Sequence, residues 1–163
     1  MRSASGFTLF ELLVVMALIA ILSAIAIPTV MSSTERNDVW TASERIGSQI
    51  RQARLKAISR NMSFRVRFDC PAAGQFRVLA VTGDPDIDND DDRCNTTVDY
   101  DSGIYTMPNA TSYDDDPPLL TVNSRGVYSS TKGIPTTITV THVNGASRAL
   151  AVSATGQINF ESY

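Results

Sequence analysis

This 163-residue chain is poor in the side chains that carry enzyme chemistry. It has a single histidine, His142, and only two cysteines, Cys70 and Cys94. It also lacks a glycine-rich phosphate loop, a nucleophile motif and a second histidine that could pair with the first, so no enzyme site is expected. No CxxC pair is present, which leaves redox chemistry without its usual motif. A net charge of -3 and a pI near 5.0 provide no globally basic surface, and nucleic acid is not an expected partner. No internal repeat is visible.

The chain does have one long apolar run. Between residues 7 and 27 the only ionisable residue is Glu11. About twenty apolar residues in a helix match the roughly 30 Å hydrocarbon thickness of a bilayer, so this stretch reads as membrane-spanning. Three identities fit: a permanent anchor, a cleavable secretory signal, or a segment that later enters a protein core. Ala24-Ile25-Ala26 has the small-x-small pattern of a secretory cut, although Arg2 is the only charge in the n-region. Glu11 is more telling, because a carboxylate this deep in an apolar helix costs several kcal/mol and marks a functional partner.

Gly6-Phe7-Thr8-Leu9-Phe10-Glu11 resembles the type III signal of type IV pilins and type II secretion pseudopilins. The resemblance implies a leader of residues 1–6, cut after Gly6 by a prepilin peptidase, and N-methylation of the new terminus at Phe7. It also implies a role for Glu11 in assembly and for Pro28 as a helix-bending proline. The physical logic agrees. Cleavage creates an amine at Phe7, and Glu11 of a neighbouring helix can neutralise it where neither charge alone is tolerated. Such a pair would set axial register between subunits, as a buried polar group does in a helical bundle. The alternative is that Glu11 merely faces the aqueous interface near the helix start. The implied organisation is leader 1–6, transmembrane or filament-core helix 7–28, and globular pilin domain 29–163. The implied partners are other pilin or pseudopilin subunits, the prepilin peptidase and the inner-membrane assembly machinery. The protein would lie in the inner membrane as a single-pass subunit with its domain outside the cytoplasm, and then in the filament.

Beyond Pro28, Trp40, Ile46, Ile50, Ala53 and Ala57 recur at helical spacings and predict one buried face. Ser33 or Thr34 is placed to cap a helix restarting after Pro28, with Glu35 in its first turn. One long bent helix over about residues 7–60 follows. From residue 62 the period falls to two, as Phe64, Val66 and Phe68 alternate with Arg65, Arg67 and Asp69. Residues 75–81 answer as the second arm of a hairpin, and further strands are expected at 119–122, 136–143, 148–153 and 157–160. Asn144-Gly145 and Thr155-Gly156 mark turns between them. The fold class is therefore α+β, a long N-terminal helix packed on an antiparallel sheet or a two-layer sandwich, and the resemblance implies that this is the pilin fold. Residues 150–158, preceded by Asn123-Ser124-Arg125-Gly126, resemble the C-terminal half of the GspH/FimT group of minor pilins and pseudopilins. Some members of that group bind DNA through arginines after the last glycine, where this chain has Gln157 and Asn159. The implied function is a structural or initiating minor subunit of a type IV pilus or type II secretion pseudopilus. The alternatives are a DNA- or surface-binding subunit at a filament tip and a membrane-anchored binding protein unrelated to filaments.

The charges are segregated. Eight of fourteen basic residues lie in residues 36–67, and eleven of seventeen acids lie in 84–116. Arg45, Arg51, Arg54, Lys56 and Arg60 complement the helix dipole or meet acidic surfaces of neighbouring subunits. Asp84, Asp86, Asp88 and Asp90 stand at alternate positions, a spacing that can wrap a hard cation such as calcium, with Asp114, Asp115 and Asp116 as further ligands. A solvated acidic loop is the other reading. In a chain with a membrane-insertion segment, Cys70 and Cys94 read as one structural disulfide made in an oxidising compartment.

Overall fold

A computed structural model describes residues 8–114 and 116–162. The chain divides into two compact units, Met1–Glu35 and Arg36–Tyr163, and one helix, α1 (Leu9–Arg60), contributes to both. In the first unit α1 has no core to bury. Pro28 lies within the helix, and no restart follows it. Instead of capping a new helix, the Thr34 hydroxyl donates back to the Val30 carbonyl at 3.1 Å.

In the second unit, α1 buries Val39, Ala42, Ile46, Ile50, Ala53 and Ala57. This corrects the expected face at one position. Trp40 is 55% exposed and Val39 takes the core place, which restores steps of three and four where a Trp40-to-Ile46 step would have spanned six.

Eleven further elements follow. They are β1 (Phe64–Phe68), β2 (Gln75–Ala80), a one-turn helix α2 (Pro85–Asp88), a 3-10 turn (Asp91–Cys94), β3 (Tyr105–Thr106), β4 (Thr111–Tyr113), β5 (Leu120–Val122), β6 (Tyr128–Ser130), β7 (Thr136–His142), β8 (Ser147–Val152) and β9 (Ile158–Ser162). The strands form two antiparallel sheets, ordered β3-β2-β1-β5-β6 and β4-β7-β8-β9. Phe64, Val66 and Phe68 of β1 face the core, as do Ile138, Val140 and His142 of β7, so period-two patterning became one dry face per strand. Phe64 and Val66 pair with Ala80 and Val78 on one side and with Val122 and Leu120 on the other.

β2 departs from that pattern, with every residue from Phe76 to Ala80 buried. Its second face is covered by the 81–104 segment. The Ser102 N–H donates to the Val78 carbonyl at 2.8 Å, the Val78 N–H to Ser102 Oγ at 2.8 Å, and the Ala80 N–H to Asp101 Oδ1 at 2.7 Å. The helix is tied to both sheets. The Tyr128 hydroxyl of β6 donates to the Ile50 carbonyl, and Phe160 of β9 sits where a Cβ on Gly47 would be 3.0 Å from its ring. The result is an α+β pilin-like fold: a long helix that is apolar in its N-terminal part, followed by antiparallel sheets.

Candidate functional site

Leu9–Ile27 is a 19-residue stretch with mean hydropathy 2.7, long and apolar enough to cross a membrane, and none of it is buried. Leu9, Phe10, Leu12, Leu13, Ile21, Leu22 and Ile25 are all more than half exposed. An apolar surface of this size is stable only against lipid or other apolar helices.

Thr8 begins the helix. Its Oγ1 accepts the Glu11 N–H at 3.2 Å and its carbonyl accepts the Leu12 N–H at 3.2 Å, the bonding of an N-cap. Thr8 and Glu11 have the spacing of a capping box, a local signal that the reading of Glu11 as an assembly residue had passed over. Glu11 lies in the first turn of α1, where a carboxylate favours the positive end of the helix dipole, and is solvent-exposed in the single chain. Gly6 and Phe7 lie outside the described residues.

In the acidic run, three of the four alternate carboxylates accept hydrogen bonds from the loop itself. Asp84 Oδ1 caps α2 by accepting the Asp86 N–H at 3.0 Å, and Asp90 Oδ1 accepts the Asp92 N–H at 3.0 Å to start the 3-10 turn. Asp88 is turned inward. Its Oδ1 accepts the Thr82 N–H (2.9 Å) and hydroxyl (3.1 Å), and its Oδ2 accepts the Gly83 N–H (2.9 Å). Burial pushes this carboxyl up, but those donors and the nearby Arg65 charge outweigh it and hold it below its ordinary range. Among the described residues no three His, Cys, Asp or Glu side chains gather as a metal group. Asp84 and Asp90 thus each satisfy the loop N–H two residues further on.

Cys70 and Cys94 are disulfide-bonded, joining a position two residues past β1 to the end of the 3-10 turn. Beneath that bridge lies a cluster that strand periodicity does not reveal. Arg93 and Asp101 pair doubly, Nη1 to Oδ2 at 2.7 Å and Nη2 to Oδ1 at 2.9 Å, and Arg77 Nη2 stands 3.9 Å from Asp101 Oδ2. Burial raises the Asp101 carboxyl, but Arg93 and the N–H groups of Val98 and Ala80 bring it below the usual range. The hydrogen bonds that Arg93 donates to Asp101 raise its guanidinium further against its own burial.

Several cations on the C-terminal half of α1 also bond within their own fold. Arg45 donates to the Thr106 carbonyl at 2.7 Å, Arg54 Nε to the Gly126 carbonyl at 3.0 Å, and Arg60 lies 4.7 Å from the Tyr100 ring centroid. His142 is buried beside β4, and its Nδ1 accepts the Asn144 N–H at 3.3 Å.

Comparison with known proteins agrees with this architecture. Residues 42–156 match the family model for type II transport protein GspH, and residues 1–27 match the prokaryotic N-terminal methylation motif. A 36-residue stretch is 56% identical to the type IV wide pilus major component PilA4 of Thermus thermophilus, covering 22% of this chain and 28% of that relative. Among solved structures, the minor pseudopilin EpsH of the Vibrio cholerae type 2 secretion system superposes with a TM-score of 0.54 at 14% identity, over 77% of this chain and 97% of that one. The type IV minor pilin FimU of Pseudomonas aeruginosa gives a TM-score of 0.49 at 17% identity, over 78% and 91% of the two chains. At these identities the likeness to EpsH is one of fold.

Proposed function

Because this chain belongs to the type II transport protein GspH family of structural, non-enzymatic pilin-like subunits, we propose that it is a minor subunit that helps build or initiate a type IV pilus or type II secretion pseudopilus. A prepilin peptidase cuts between Gly6 and Phe7 and the new terminus is methylated. The apolar part of α1 then holds the subunit in the inner membrane with its globular unit outside the cytoplasm. Assembly moves that helix from lipid into a core of like helices.

The observation that carries this reading is the unburied 19-residue apolar stretch with one carboxylate, Glu11, in its first turn. Lipid and a helical core both satisfy the apolar surface. A core of other subunits also brings the cationic Phe7 amine of a neighbouring chain to Glu11, which is the charge compensation that apolar surroundings demand.

Intact-mass measurement of the processed protein tests the first step: the expected product begins at N-methylated Phe7, and a terminus after Ala26 would establish a secretory signal instead. For assembly, Glu11→Ala is expected to leave a cleaved, membrane-held subunit that enters filaments poorly. Incorporation at the wild-type level would remove the charge-pair argument.

A further inference from the structure

Beside the disulfide lies a cleft of about 380 Å3, with Arg77 and Asp101 in its wall and Pro71, Thr97 and Ile104 among its lining. Arg77 is only 3% exposed. A guanidinium has five N–H donors. Four of those on Arg77 are used, by the carbonyls of Cys94 (2.5 Å), Thr96 (3.0 Å) and Ser102 (3.2 Å) and by the Thr97 hydroxyl (3.1 Å). The fifth, Nε–H, is buried with no acceptor among the described residues.

Charge is left over as well. Asp101 is already saturated, with Arg93 on both oxygens, the Ala80 N–H on Oδ1 and the Val98 N–H on Oδ2. Two guanidiniums share one carboxylate, and Arg77 is the more distant of them at 3.9 Å. Arg77 thus hydrogen-bonds only neutral oxygens, and its nearest carboxylate oxygen stands 3.9 Å away on a group that already serves Arg93. The Thr97 hydroxyl, on an exposed residue, is the exchangeable partner. If it rotates away, the freed Nη2–H is the donor that an entering carboxylate oxygen would take, with the unpaired Nε–H on the same guanidinium. Pro71 and the 52% exposed Ile104 add apolar surface suited to an aliphatic stem.

We propose that this cleft is a carboxylate site, filled by a Glu or Asp side chain that another filament subunit presents beside the disulfide. The site itself stands on Arg77 and its surroundings; its occupant being a subunit rests on the assembly reading above.

The test uses the full processed chain in nonionic detergent, 15N-labelled at arginine. It is titrated with an acetylated Ile-Glu-Ile amide peptide, its Ile-Gln-Ile counterpart, and glutarate. The Arg77 Nε–H resonance, assigned by its loss in Arg77→Lys, is expected to shift saturably with the Glu peptide and not with the Gln peptide. Because Arg77→Lys disturbs a buried cluster, the decisive variants are at the exposed mouth. Ile104→Glu is expected to weaken the peptide at least tenfold, and Ile104→Lys to tighten it. Equal shifts from both peptides, or an Ile104→Glu protein that binds normally, would overturn the site. Binding of glutarate but not of the Glu peptide would overturn its assignment to a protein partner. The titration is made on isolated chains, so its failure is distinct from a failure of Glu11→Ala to affect assembly.

Discussion

Arg93 and Asp101 form a two-pronged ion pair with side-chain exposures of only 2% and 0%. This pair, with Arg77, fastens the irregular 81–104 segment over β2. Breaking a buried pair by removing one partner strands the other charge and costs about 3–5 kcal/mol. Asp101→Ala is therefore expected to destabilise the protein by that order in urea unfolding.

The same pair sets an acid limit. The folded-state Asp101 carboxyl lies below its unperturbed value of 3.8, as does that of Asp88. A depressed carboxylate stabilises the fold fully above the unfolded pKa, and the contribution is lost as pH falls through the folded value. Stability should hold from neutrality down to about pH 5 and decline below about pH 4. Asp101→Asn should be less stable at pH 7 and decline less steeply in acid. An identical acid slope in the variant would exclude Asp101 as the titrating group.

The division of labour along the acidic run predicts unequal losses. Asp88→Ala leaves the Thr82 and Gly83 N–H groups without their acceptor and is expected to cost about 1–3 kcal/mol. Asp86→Ala, on an exposed carboxylate, should stay within about 0.5 kcal/mol. Chelator should leave the midpoint of either protein unchanged. Equal losses that disappear in chelator would return the run to metal binding.

Gly145 and Gly156 both have positive φ, +94° and +76°, but differ in surroundings. A Cβ on Gly145 meets nothing within 4 Å, so Gly145→Ala should cost only the backbone term, about 1–2 kcal/mol. At Gly156 the same atom would lie 2.9 Å from the Tyr128 ring, which is buried and anchored to the Ile50 carbonyl. Gly156→Ala should lose about a further 1–3 kcal/mol in thermal or urea unfolding.

The Cys70–Cys94 bridge closes a separation of 24 residues. Replacing both cysteines by alanine is expected to cost about 3 kcal/mol on the chain-entropy account. Hydrogen exchange should rise in residues 81–104 before it rises in β7 and β8. Uniform acceleration across both sheets would show that the bridge supports the whole unit rather than this segment.

What the amino-acid order determined by itself is whatever depends on near neighbours. The apolar run with its lone Glu11, the alternation through Phe64, Val66 and Phe68, and the Asn144-Gly145 and Thr155-Gly156 turns are each specified within a few residues. They were sufficient for a long helix, antiparallel strands and an apolar stretch of membrane-spanning length. The short strands β3, β4 and β6 lack such a signal, because two or three residues are held as strands by their neighbours in the sheet and not by their own pattern. Trp40 and Val39 are adjacent apolar residues, and only the packing of α1 against the sheets decided that Val39 goes in. Likewise no local rule says that Arg77, in the middle of a strand, and Asp88, in the middle of an acidic run, should be buried. Burying an ionisable group is tolerable only with partners in place, and here these are the carbonyls of Cys94, Thr96 and Ser102, the Thr97 hydroxyl and Asp101 for Arg77, and Thr82, Gly83 and Arg65 for Asp88.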